Sequence, residues 1–129
     1  MSRTWHTLLV LLTLVLGLAA APNQGVPLTR VMRDKLVHIQ KVLEAVVTSD
    51  WTSMATHSRE LEHLTRDPGW AVLKFPDYAK HSVAFVRAVQ ELQQAAAQRD
   101  SEKAPHAYVA VTLACVDCHR YLARARMAQ

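Results

Sequence analysis

The stretch APHAYVAVTLACVDCHRYLARA, residues 104–125, decides how this chain folds. Tyr108, Val111, Thr112, Cys115, Cys118, His119 and Leu122 recur along it at helical spacing and fall on one side of a helix. Pro105 stands in the first turn, where its missing N–H leaves no hydrogen bond unmade. Within the helix, Cys115-Val116-Asp117-Cys118-His119 sets a second cysteine three residues after the first and a histidine four after it. Residues at those offsets project from one face, so both thiols and the imidazole point the same way. The reading has the helix start near Ala104 and fray over Arg124–Gln129.

Three more helices are predicted upstream. From about Pro27 to Val47, Leu28, Val31, Met32, Leu36, Ile39, Val42, Leu43, Val46 and Val47 form an apolar stripe, with Thr29 as the expected N-cap. The Thr48-Ser49-Asp50 cluster ends that helix and can cap the next. A second helix spans about Trp51 to Thr65, marked by Met54, Leu61 and Leu64, and Asp67-Pro68-Gly69 stops it. Residues 70–77 hold Trp70, Leu73 and Phe75, so this connection is expected to pack on the body. A third helix spans about Asp77 to Arg99, with Tyr78, His81, Phe85, Ala88, Val89, Leu92 and Ala96 on one stripe. Asp100-Ser101-Glu102-Lys103 is the turn into the last helix. No strand pattern occurs, and Gly is scarce at three in 129 residues. Four helices with short links predict an all-α, antiparallel four-helix bundle in one domain, residues 22–129.

The N-terminus is set apart. Arg3 precedes an apolar run, Leu8 to Leu18, and Ala19-Ala20-Ala21 follows. That is the pattern of a secretory signal peptide over residues 1–21, with a run too short for a comfortable membrane span. After cleavage no stable membrane span is expected. Losing Arg3 from the 15 basic residues leaves 14 against 11 acidic ones, a net charge of +3 in place of +4. This balance is too small and too scattered for nucleic acid, but it can steer docking onto an acidic partner.

Export changes the meaning of the two cysteines. A disulfide between residues three apart closes a tiny loop and staples almost nothing. A structural zinc site wants four ligands, usually from two such pairs. A thioredoxin-like pair needs a strand–helix setting that this chain lacks. Cys-x-x-Cys-His is instead the attachment signal for haem c. Cys115 and Cys118 would bind the two vinyl groups through thioethers, and His119 would reach the iron from the same side.

On that motif, placed on the last of four helices, the chain resembles the class II c-type cytochromes, the cytochrome c′ and cytochrome c-556 group. The resemblance spans residues 27–125. It implies a helical bundle with one covalent haem c on the C-terminal helix, and a periplasmic one-electron carrier, not an enzyme. Many members carry an aromatic residue and then Arg at the third and fourth positions after the histidine. Here Leu122 and Ala123 stand there, with Tyr121 one place earlier. Six-coordinate members draw a methionine from the first helix, and Met32 in Arg30-Val31-Met32-Arg33 matches that place. On spacing alone Met32 fits a core position equally well.

The sixth ligand sets the function. Methionine closes the iron and raises its potential, which suits electron transfer. An open or displaceable position would make the chain a cytochrome c′-like binder of NO or CO. Met54 and the histidines His38, His57, His63, His81 and His106 are the rival ligands. Arg30, Arg33, Lys35, Arg120 and Arg124 are candidates to neutralise the haem propionates. The expected partners are periplasmic redox proteins, or a larger periplasmic oxidoreductase of which this chain is a subunit, and a homodimer is a weaker expectation.

Overall fold

The computed structural model describes residues 27–128. The expected signal segment, residues 1–21, lies outside them. Among the described residues there are four α-helices and no strand: α1 (Leu28–Thr48), α2 (Trp51–Leu64), α3 (Tyr78–Gln98) and α4 (Lys103–Met127). One 3-10 turn, Trp70–Val72, interrupts the link between α2 and α3. The predicted boundaries hold to within a residue or two, except that α4 stays helical through Met127 where fraying was expected.

Local chemistry explains each helix end. Thr29 is not the cap of α1. The helix opens one residue earlier, with the Pro27 carbonyl accepting from the N–H groups of Arg30 at 2.8 Å and Val31 at 3.2 Å. Ser49 ends α1 in the left-handed conformation at φ 55°, and Arg99 ends α3 the same way at φ 51°. Asp50 then starts α2, its carboxylate accepting from the Ser53 N–H at 3.0 Å and the Ser53 hydroxyl at 2.7 Å. Those hydrogen bonds hold the Asp50 carboxyl below its usual range. Asp100 accepts from the N–H groups of Glu102 at 3.1 Å and Lys103 at 2.9 Å, which secures the start of α4.

Sequential helices run antiparallel. Gln90 reaches Glu62, and Gln93, one turn on, reaches back to Ser58 and Glu62. Between α3 and α4, Gln98 meets Lys103 at one end while His81 stacks on Tyr121 at the other. The core lies where the stripes converge, with Val31, Val42, Met54, Leu61, Phe85, Val89, Leu92 and Val111 essentially sealed from solvent. Burying each such side chain is worth about 1.5–3 kcal/mol. Alanines at 88, 95 and 96 let α3 approach its neighbours closely.

The link between α2 and α3 packs on the body, as its apolar content predicts. Trp70 is buried, donates from Nε1 to the Ser82 hydroxyl at 3.0 Å, and stacks near Phe85 at 5.6 Å between centroids. The Tyr78 hydroxyl donates to the Trp70 carbonyl. Tyr121 secures the far end, meeting Phe75 edge-on and accepting from the Asp77 N–H at 3.1 Å. Tyr121 is thus a tie between α4 and the α2–α3 link.

Three of the four helix seams are well packed. The fourth, between α1 and α4, is sparse. Apolar residues of the predicted α1 stripe that cannot all turn inward face outward instead: Leu36, Leu43 and Val47 are exposed. On α4, Val109, Leu113 and Val116 are exposed as well. No helix among the described residues is long and apolar enough to cross a membrane.

Candidate functional site

The open seam between α1 and α4 forms a groove of about 350 Å³. Met32, Lys35, Leu36, Ile39 and Gln40 line it from α1. Tyr108, Thr112, Cys115, Val116 and His119 line it from α4. Its volume falls at the lower end of the roughly 300–1,000 Å³ common for ligand and cofactor sites, and its wall is mostly apolar. A larger depression of about 700 Å³ lies beside the α2–α3 link, lined by Trp70, Leu73, Phe75, Tyr78 and Val86 among others. It contains no thiol, methionine or histidine, so the chemistry read from the sequence belongs to the smaller groove.

The four predicted site residues are placed as follows. Cys115 is half-buried on the groove wall, and His119 follows one turn later, exposed at the same groove. Met32 is half-buried on the opposite wall and packs against the core. Cys118 is half-buried too, but it leans into the body and does not line the groove. Both thiols are free. Burial pushes the Cys118 thiol up from its usual value, partly offset by the Lys35 charge. Among the described residues no cluster of three or more His, Cys, Asp or Glu is assembled to hold a metal ion.

The rival ligands separate clearly. Met54 is wholly buried in the core and faces away from the groove lining. His38 and His57 face one another across α1 and α2. His63 is exposed, and His106 is exposed with Nδ1 at 2.7 Å from the Glu102 carbonyl. His81, expected on the core stripe, is only half-buried because its ring lies against Tyr121 at 4.9 Å. None of these six lines the groove.

Of the five expected cations, one is turned inward. Arg30, Arg33, Arg120 and Arg124 are exposed, and Arg30 pairs with Asp34 at 3.9 Å. Lys35 is only 8% exposed. Its ammonium stands 3.4 Å from the Phe85 ring centroid and 4.6 Å from that of Trp70, a double cation–π contact. The Cys115 and Cys118 sulfurs both act electrostatically on the same charge. Burial lowers its pKa, and the two cysteines oppose that shift without cancelling it. No carboxylate pairs with it among the described residues.

Sequence reading did not single out Lys35 as an interior residue. The signal was present: position 35 falls between Val31 and Val42 on the buried face of α1, at helical spacing. A charged residue on that stripe reads as surface unless its apolar stem is counted.

The residues fit a covalent haem in part. One thiol, Cys115, a histidine and a methionine meet on one apolar groove, while the second thiol of the haem c donor set, Cys118, lies off it against the core. The Lys35 ammonium, held over Phe85 and Trp70, is the one buried charge beside this groove among the described residues. No family model, no curated protein and no solved structure matches the chain.

Proposed function

We propose that this chain carries one haem c in the α1–α4 groove and serves as a one-electron carrier in the periplasm. The observation that supports this reading is the convergence of Met32 with Cys115 and His119, more than eighty residues away in sequence, on one apolar groove. Cys115 and Cys118 would hold the group through thioethers. His119 would be the proximal iron ligand and Met32 the distal one. When bound, haem c supplies an iron that alternates between ferric and ferrous states. The apolar wall of Leu36, Ile39, Tyr108 and Val116 excludes water and, with a thioether ligand, favours a raised potential. Cys118 lies off the groove, so both sulfurs would reach one macrocycle only if α4 or its side chains adjust. The signal segment and the class II resemblance support export, and the basic excess supports an acidic redox partner.

The test is expression in cells that export the chain and attach haem c. The wild type retains haem after acid denaturation, and Cys115→Ala with Cys118→Ala loses it. Haem-free wild-type chain would overturn the proposal. The oxidised wild type is expected to be low-spin with the weak far-red band of sulfur-ligated ferric haem. Met32→Ala becomes high-spin, and Met32→His lowers the midpoint potential within the roughly 0.8 V that axial ligands span. High-spin iron in wild type and Met32→Ala alike would replace the carrier with the NO- or CO-binding alternative.

A further inference from the structure

Away from the groove, two imidazoles meet between α1 and α2. His38 Nδ1 and His57 Nδ1 are 3.0 Å apart, both rings half-buried, with centroids 5.3 Å apart and planes tilted by 41°. At that distance one ring donates a proton and the other accepts it. Once the donor ring carries its proton on Nε2 instead, the two Nδ1 atoms are also spaced as neighbouring ligands of one ion. At an imidazole–metal bond of about 2.0–2.1 Å, a 3.0 Å separation subtends about 90–100° at the metal. That is the angle between adjacent positions of a tetragonal site, and narrower than the tetrahedral angle zinc prefers.

We propose that His38 and His57 form a binding site for a divalent transition-metal ion of tetragonal preference, Cu(II) or Ni(II), that cross-links α1 to α2. Binding replaces the shared proton bridge. The donor ring moves its proton to Nε2, so both Nδ1 atoms are free and no net proton is released. The rings reach the metal by turning about χ2, a soft torsion in histidine. No third protein ligand is assembled among the described residues, so water completes the coordination. Carboxylates stand nearby, Asp34 one turn before His38 on α1 and Glu60 one turn after His57 on α2, although Arg30 pairs with Asp34 and Lys41 with Glu44, which leaves Glu60 without an ion-pair partner among the described residues. Glu44 on α1 also interacts with His57. The proposal is independent of what occupies the α1–α4 groove.

Titration of Ni(II) into the full-length, metal-stripped chain tests it, because nickel does not oxidise thiols. One ion per chain is expected at pH 7.5. His38→Gln and His57→Gln, which keep a hydrogen-bonding side chain, each weaken binding at least tenfold. Cys115→Ser with Cys118→Ser leaves it intact, and pH 5.5 weakens it in the wild type by protonating the imidazoles. A Cu(II) sample of the Cys115→Ser, Cys118→Ser chain should show two coupled nitrogens by electron paramagnetic resonance, and one when His38→Gln or His57→Gln is added. Unchanged nickel affinity in both Gln variants, or binding that follows the cysteines, overturns the proposal.

Discussion

Lys35 holds its charge where charges are expensive. Its ammonium has exchanged water for the faces of Phe85 and Trp70, with no carboxylate in compensation. Its pKa is lowered in the fold, so the unfolded chain binds that proton more tightly. Stability then rises with pH across the window from the lowered value up to the ordinary one near 10.5. Below that window the burial penalty is present in full. Lys35→Met keeps the unbranched stem and discards the charge. In the haem-free chain it is expected to stabilise the fold by about 1 kcal/mol or more and to flatten the alkaline rise seen in the wild type. Denaturant unfolding at a series of pH values measures both, and an unchanged slope in Lys35→Met would sink the assignment. His38 shifts in the same direction for related reasons, burial first and its neighbour His57 second. Its neutral form is favoured in the fold, so its contribution is present above the usual imidazole pKa and fades as pH falls below it. The proposed site residues on α4 stand out in the sequence because covalent haem attachment would demand fixed types at fixed spacing. Lys35 does not, because its long stem lets a charged residue take a core position.

At the scale of the element, the helices were legible from periodicity, and their ends from turn residues. Asp50 and Asp100 cap as their positions suggest, and Asp67 closes the turn after α2 by accepting from the Gly69 N–H at 2.6 Å. Thr29 failed as a cap because Pro27, fixed in φ, already presents its carbonyl to the first turn. The two left-handed helix ends carry a residue with a Cβ where glycine is favoured. At Ser49 the left-handed conformation costs about 1–2 kcal/mol, against about 0.5–1 kcal/mol of extra chain entropy that glycine loses on folding. Ser49→Gly is therefore expected to stabilise the chain by a few tenths to about 1 kcal/mol. In a domain of this size that raises Tm by up to roughly 4–8 °C, read by thermal unfolding. A lower Tm would mean that the Ser49 side chain holds a contact the backbone account omits. The length of the α1 stripe was read correctly, but its width was not. Periodicity marks Leu36, Leu43 and Val47 as one face with Val31 and Val42, yet only the narrower face is buried. How much of a stripe a neighbour covers depends on how near that neighbour comes, which no single helix encodes.

For the whole molecule, that unequal coverage is the distinguishing feature. A chain of this composition can seal its core with three tight seams, and the fourth leaves an apolar groove facing solvent. Exposed apolar surface of this kind marks a place for a ligand or partner. A dye that fluoresces in apolar clefts, such as anilinonaphthalene sulfonate, is expected to bind the haem-free chain and to lose its signal once the groove is filled. Equal fluorescence before and after loading would separate the groove from the cofactor. Which seam would stay open could not be read from the sequence, since all four helices are amphipathic and the links are short on every side. The open seam also joins the first helix to the last, and this orders events in time. Synthesis runs from the N-terminus at about 5–20 residues per second, so Cys115 follows Met32 by roughly 4–16 s. The hairpin of α1 and α2 can close in that interval, and α3 can dock on it. The wall that carries the thiols arrives last, onto a partly formed body. Under the proposed reading, a group attached to those sulfurs would come to the last-made part of the chain, and a chain cut short before α4 would lack one whole wall of the groove.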